Sequence, residues 1–357
     1  MHTTHVNNRF WLLLALLLLP VLSIWAESLE NIKKKEFNET FKAGTKDFLQ
    51  IDNRYGNITV THWTKNEVEI KVVVESRANS DNRAQEGLDR VQIKLNKTGN
   101  TISGITSLSS QSGWNNNNNR LTINYHISMP SALTANFSQK YGNITLPDKT
   151  EGKNTLEVKY GNIKAGNFTS PLVIEGGYSN ISIEDVENIR MDLSYCSGVS
   201  IGNGKEIRLD SKYSNVTAKK IGNLSVNKKY GNLSVKSADQ VSIDVKYSEV
   251  NIDRVTNELQ VSALDYSTLN VKELSSNFKK VYVEARYGNF NVSISSNAGF
   301  KVSAERMKYG NVDIKGFNIT HSNVENKVNY YYQINGGGNN TIEFNGNSYS
   351  NIKVRTL

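Results

Sequence analysis

Cysteine is almost absent from this chain of 357 residues. Cys196 is the only one, so no internal disulfide can form. No cysteine follows the N-terminal apolar run, which argues against a lipid-anchored lipoprotein. Proline is scarce, at four residues. Histidine is scarce too: beyond the first few residues only His62, His126 and His321 occur, at no metal-ligand spacing. There is no nucleophile elbow, no phosphate loop and no zinc motif. The Gly-Gly-x-Gly-x-Asp calcium repeat is missing as well. These absences leave no sequence basis for a catalytic residue, a metal or a cofactor. Long apolar runs are also lacking. The single candidate, Trp11 to Ile24, is broken by Pro20 and is too short to span a bilayer comfortably. It reads as the core of a signal peptide over residues 1–26, with small Ala26 at the cleavage position. The expectation is an exported protein in the periplasm, on the cell surface or secreted, with no transmembrane span.

What is abundant is repetition. A phrase returns along the chain: Tyr, then Gly or Ser, usually Asn, then apolar, polar, apolar. It reads YGNITV at Tyr55, YGNITL at Tyr141, YGNIKA at Tyr160, YSNISI at Tyr178, YSNVTA at Tyr213, YGNLSV at Tyr230, YSEVNI at Tyr247, YSTLNV at Tyr266, YGNFNV at Tyr287, YGNVDI at Tyr309 and YSNIKV at Tyr349. CSGVSI supplies a twelfth copy if Cys196 takes the Tyr slot. From Tyr141 to Tyr287 the copies are 17 to 21 residues apart. So short a period predicts stacked coils, none of which can bury its apolar face alone. The expected fold is all-β: a parallel β-solenoid, a right-handed β-helix by the usual crossover rule, with coils of about 17–20 residues.

Within each copy, the residues three and five places after the Tyr are apolar, with a polar residue between them. That is the period of a strand with one buried face. Apolar residues also sit four places before the Tyr, as at Ile51, Phe137, Leu156, Ile174 and Leu209. Parity along that strand turns the Tyr inward and requires a bend at the following Gly/Ser-Asn pair, where Gly and Asn tolerate unusual angles. Stacked tyrosines then form either a register-fixing corner ladder or an aromatic platform for sugars. The Asn-x-Ser/Thr sites at Asn57, Asn143, Asn180, Asn215 and Asn232 belong to the repeat and read as corner chemistry.

The interval from Tyr55 to Tyr141 is 86 residues. Strand-like stretches at residues 67–75, 91–95 and 121–129 fill it, with a polar loop over residues 107–119. Residues 27–135 read as an N-terminal β-region holding the first coil and a capping sheet, and residues 136–357 as the repeat array. A cap hides the end strands that a solenoid would otherwise expose. At the other end there is room for one degenerate coil, with the Tyr349 copy closing the stack.

The periodic Y-G-N-I-x-V phrase and the opening unit NRYGNITVTHWTKNEVEIKVVVE resemble the bacterial DUF4097 β-strand-repeat family, labelled as adhesins. The head-GIN auto-transporter adhesin-like proteins are the nearest second resemblance. The resemblance implies an exported, non-enzymatic cell-envelope protein and brings no catalytic residues.

One constellation offers chemistry. The residue before the Tyr is basic in eight copies: Arg54, Lys140, Lys159, Lys212, Lys229, Lys246, Arg286 and Lys308. Stacking turns these into a stripe, and the net charge of +8 leaves positive charge to spare. Such a stripe suits a polyanion, whether acidic polysaccharide, lipopolysaccharide or extracellular DNA, and an envelope protein is the other partner in view. No specific nucleic-acid motif accompanies it. Acids two places earlier, at Asp52, Glu157, Glu175, Asp210, Asp244 and Glu284, offer the other reading, a salt-bridge ladder that sets register. The function classes left open are an adhesin-like binder, a polysaccharide-degrading β-helix enzyme, and a ligand-free structural spacer.

Overall fold

The computed structural model describes residues 31–109, 119–347 and 349–357. The expected signal peptide, and most of the polar loop at residues 107–119, lie outside them. The chain is all-β: the described strands belong to one hydrogen-bonded sheet, and one described helix, Asp81–Asp89, accompanies them.

The strands preceding each Tyr pair in parallel, residue for residue. Thr134–Lys140 lies between Phe48–Arg54 and Asn154–Lys159. Leu172–Gly177, Val186–Ser194, Gly204–Lys212 and then Val216–Asp265 follow in order. The strands after each Tyr form a second parallel ladder, from Ile58–Trp63 through Asn143–Thr145, Asn162–Ala165, Asn180–Ile183 and Gly198–Ile201. Val216–Asp265 is one 50-residue run of β backbone that turns corners at Tyr230 and Tyr247.

The core follows the apolar pattern. Ile51, Phe137, Leu156, Ile174 and Leu209 are buried in the first ladder, and Ile58, Ile144, Ile163, Ile181 and Val199 in the second. Only in the Tyr309 copy are both apolar residues, Val312 and Ile314, half-buried. That copy is the end of the stack, so one side of it has no neighbour.

The order of coils at the two ends is not the order of the sequence. Asn351–Thr356 sits between Asn289–Ile294 and Asn311–Lys315, parallel to both. Thr341–Asn347 likewise separates Lys280–Arg286 from Phe300–Glu305. The Tyr349 copy is therefore an interior coil, and the Tyr309 copy is the outer one, contrary to the sequence expectation. The mirror arrangement holds at the other end. Phe48–Arg54 lies between Thr101–Leu108 and Thr134–Lys140, and Ile58–Trp63 between Arg120–Pro130 and Asn143–Thr145.

Antiparallel strands finish both ends. Glu67–Ala78 joins Arg120–Pro130 to Asn31–Lys42, and Val91–Thr98 covers Thr101–Leu108. Three consecutive lysines, Lys33 to Lys35, lie on the Asn31–Lys42 edge, where charge discourages further strand pairing. The helix was not foreseen. Ser80 caps it, its hydroxyl accepting from the Arg83 N–H at 3.4 Å, and it buries only Ala84, Gly87 and Leu88. So short and polar a segment carries little periodic signal. At the far end, Asn329–Ile334 covers Phe300–Glu305 and pairs in turn with the exposed strand Ile319–Glu325.

Candidate functional site

The corner after the first ladder sets the main surface of the molecule. Its turning residue is the Tyr itself. Tyr55, Tyr141, Tyr160, Tyr178, Tyr195, Tyr213, Tyr230, Tyr247, Tyr266, Tyr287 and Tyr349 all have φ between 48° and 61°. This is the left-handed region, which costs an L side chain about 1–2 kcal/mol. The bend thus lies at the Tyr, one residue before the expected Gly/Ser-Asn pair, and the parity argument for an inward Tyr fails. The left-handed φ turns the ring out and the next residue in.

That next position is a tight inward slot. Ser179, Ser214, Ser248, Ser267 and Ser350 are buried there. A Cβ on Gly142 or Gly161 would collide with the carbonyl of the glycine one coil back, Gly56 or Gly142. Where serine is present, its hydroxyl takes over local hydrogen bonding: Ser179 Oγ donates to the Gly177 carbonyl at 2.7 Å, and Ser267 Oγ accepts from the Ser248 N–H at 3.0 Å. Cys196 occupies this slot, not the Tyr slot. Its N–H donates to Ser214 Oγ at 3.0 Å, and burial pushes its thiol pKa up. Tyr195 is the column residue of that coil. One inserted residue then restores register, because Gly198 pairs with Asn180 and Val199 with Ile181.

The rings form a single column. Successive centroids from Tyr55 to Tyr287 are 4.7–5.2 Å apart, with planes within 12°. The column continues through Tyr349 to Tyr309, at 5.8 and 5.1 Å. All but Tyr230 are 38–58% exposed. Each offset pair contributes about 0.5–1.5 kcal/mol beyond burial. That is the scale of the backbone strain, which explains why Tyr persists where the backbone alone favours Gly or Asn. Beside the column runs an amide ladder. Asn143, Asn162 and Asn180 each donate from Nδ2 to the Oδ1 of the Asn one coil back, at 3.0, 2.7 and 3.1 Å.

The basic residues stand one place before the rings, and register resolves their order. Arg54, Lys140 and Lys159 are direct neighbours. Gly177 and Ser194 then interrupt. Lys212 and Lys229 are again direct neighbours, and Lys246 precedes the next ring. Asp265 holds the basic position one coil further on. It pairs with Arg286 at 2.7 Å and with Lys246 at 3.8 Å. Lys308 lies in the terminal coil.

Among the described residues, the expected in-coil salt-bridge ladder forms in one place, Glu157–Lys159 at 3.1 Å. Lys140, Lys229 and Lys308 instead lie over the rings of Tyr141, Tyr230 and Tyr309, at 5.2–5.4 Å. Among the described residues, Arg54, Lys140, Lys212, Lys229 and Lys308 have no carboxylate at ion-pair distance.

Two titratable groups depart from the repeat. Lys228 is 1% exposed, two places before Tyr230. Its amine donates to Ser211 Oγ at 3.3 Å and to the Ser214 carbonyl, and burial lowers its pKa to about 8. In neighbouring coils the carbonyl equivalent to Ser214 accepts from the Asn N–H of the next coil, as Cys196 does from Asn215. At this corner Gly231 has φ 99° and the Asn232 N–H turns to Asn215 Oδ1, so Lys228 supplies the missing donor. The sequence does show a lysine at an inward position, which was the available signal. Asp52 is the other departure, its carboxyl pushed up by burial. Of the remaining shifted carboxylates, Glu75, Glu151, Asp253 and Asp313 are held low chiefly by hydrogen bonds from neighbouring cations, and Asp185 by hydrogen bonds from Asn203. That is the opposite of what a general acid needs. Among the described residues, no helix is long and apolar enough to cross a membrane, and no three His, Cys, Asp or Glu residues cluster to hold a metal.

No family model matches the chain, and no curated protein matches it. Solved structures align along most of its length. A "putative cell adhesion protein" from Clostridium sporogenes is 16% identical, covering 91% of this chain and 100% of its own, with a TM-score of 0.19. A "putative lipid binding protein" from Parabacteroides distasonis is 13% identical, covering 89% and 96%, with a TM-score of 0.27. A "putative adhesin" from Bacteroides fragilis is 11% identical, covering 90% and 98%, with a TM-score of 0.25. Such distant likeness carries no residue's role across.

Proposed function

We propose that this chain is an exported, non-enzymatic, adhesin-like envelope protein that binds an acidic surface glycan through its basic stripe. The observation that carries the reading is the state of the cations. Among the described residues, five of the eight cations lack a carboxylate partner, so their charge is available, and six of the eight, Lys159 and Lys246 with their acidic partners included, fall into two blocks of three. Arg54, Lys140 and Lys159 make one block; Lys212, Lys229 and Lys246 make the other. Parallel pairing at a near-constant offset supports reading the scaffold as a parallel β-solenoid, right-handed by the general rule for parallel crossovers. On this reading residues 27–135 hold the first coil and its cap, and residues 136–357 hold the array. The Y-G-N-I-x-V phrase supports membership in the DUF4097 repeat family.

The test is binding of residues 27–357 to acidic polysaccharide and lipopolysaccharide over a salt series. A variant with Lys159, Lys212, Lys229 and Lys246 changed together to Gln should bind more weakly with a shallower salt dependence. Unchanged binding by that variant rules out the stripe. Release of reducing ends from the same glycans would move the protein to the polysaccharide-degrading class. Absence of any binding would leave a structural spacer.

A further inference from the structure

We infer that the tyrosine column is a track for a linear, β-linked, uronic-acid-bearing polysaccharide lying along the stack, one sugar unit per coil, gripped by phenol hydroxyls. This rests on the reading above that the stripe binds an acidic glycan, and it adds orientation, register and contact chemistry.

Four observations lead there. First, the pitch is right. Ring centroids recur every 4.7–5.8 Å, close to the length of one pyranose unit in an extended β-linked chain. Second, the ring faces are already used. Rings this close and this parallel cover one another, so no sugar face or nucleobase can stack between them. What the column offers outward is ring edges and hydroxyls. Third, those hydroxyls are free: among the described residues none of the column phenols has a hydrogen-bond partner, and most of the rings are exposed. A phenol both donates and accepts, which suits sugar hydroxyls and carboxylates alike. Fourth, basic residues flank the rings at the same pitch in six of the eight coils from Tyr55 to Tyr247, so carboxylates along the polymer come within reach of cations while its sugar units meet hydroxyls.

The same facts disfavour nucleic acid. Single strands bind such grooves by stacking bases on aromatic faces, and these faces are occupied. Duplex phosphates recur at about 3.4 Å along each strand, out of step with the rings. The surface is also pre-formed: the left-handed corners and the stacked rings fix the hydroxyls before any ligand arrives, which reduces the ordering cost of binding.

The spacing of the cations sets a length. Counting along the stack from Tyr55 to Tyr247 gives eight coils, with the two basic blocks at the ends and Gly177 and Ser194 between them. The ninth coil presents Asp265 in the stripe position. Affinity should therefore climb with oligomer length up to eight units, the shortest chain that meets all six cations, and then flatten.

The experiment uses β-1,4-linked mannuronic-acid oligomers, from dimer to beyond a dozen units, with neutral β-1,4-glucose oligomers as control. A variant changing Tyr160, Tyr178, Tyr195 and Tyr213 together to Phe keeps the stack and removes four hydroxyls. We expect affinity to rise to the octamer and level off, and the Phe variant to bind the octamer about ten-fold or more weakly with an unchanged salt slope. Wild-type affinity that saturates by the tetramer, a Phe variant that binds as wild type, or equal competition by single-stranded DNA of matched charge would overturn the track and leave the stripe standing. No binding of any acidic oligomer to the wild type would overturn both readings.

Discussion

Lys228 gives a sharp test of how the core tolerates a charge. Its side chain is 1% exposed, and its pKa is lowered from 10.5 to about 8 by burial. The unfolded chain therefore binds more protons than the folded one between about pH 8 and pH 10.5, so stability rises with pH across that window. Below about pH 8 the penalty for burying the ammonium is fully present; above about pH 10.5 it is gone. At ~1.4 kcal/mol per unit, the whole change is on the order of 3 kcal/mol. Lys228→Met removes the titration and also leaves the Ser214 carbonyl without its donor, at a cost of about 1–3 kcal/mol. The two effects nearly cancel at pH 7, so the variant should unfold close to wild type there. At pH 10.5 the neutral amine of the wild type still donates, and the variant should be the less stable by about 1–3 kcal/mol. Urea midpoints at pH 7, 9 and 10.5 for both proteins measure this, and other lysines and tyrosines drop out of the difference. Parallel pH profiles for the two proteins would show that the buried amine is not carrying the charge assigned to it.

Three further outcomes are expected. Tyr195→Ala should be less stable than Tyr195→Gly by about 1 kcal/mol, since both lose two stacked contacts but only Gly relieves the left-handed φ; the ordinary order, Ala above Gly, in a thermal melt would count against a strained corner. Gly161→Val should cost roughly 1–3 kcal/mol by overpacking the slot against the Gly142 carbonyl, and an unaltered urea midpoint would show that the slot has room. Asp265→Asn releases Lys246 and Arg286, so binding to acidic oligosaccharide should tighten and its salt dependence steepen; unchanged titrations would mean that Asp265 does not gate the stripe.

The buried faces were legible because they follow parity. Ile51, Ile58 and their counterparts announce themselves at fixed offsets from each Tyr, and the structure buries them. The corner was not legible. Gly and Asn are the residues that normally take left-handed angles, and they stand beside the Tyr that takes them here, so the bend reads one residue late. The same slip put Cys196 in the column. Its coil carries one extra residue, and counting back from the apolar pair lands on Cys196, although Tyr195 stands next to it. The eight basic positions were readable. Their partners were not, because Asp265 reaches Lys246 and Arg286 across coils and not within one. The order of coils at the ends was beyond the sequence, since nothing local records that Asn351 pairs with both Asn289 and Asn311.

That last arrangement has a kinetic consequence. In an array held by neighbour contacts, folding can spread coil by coil and the ends fray first. Here the strands Thr341–Asn347 and Asn351–Thr356 wedge between coils made from sequence far upstream, some 62 positions away in the case of Asn289 and Asn351. The Tyr287 and Tyr309 coils cannot close against each other; they wait for a segment synthesised after both. A chain emerging N-terminus first can zip its middle coils as they appear, but this end stays open until residue 356 or so has arrived. Once seated, the wedge has to be withdrawn from between two strands before the outer coil can peel away. Assembly at this end is slow and late, and disassembly is slow for the same reason.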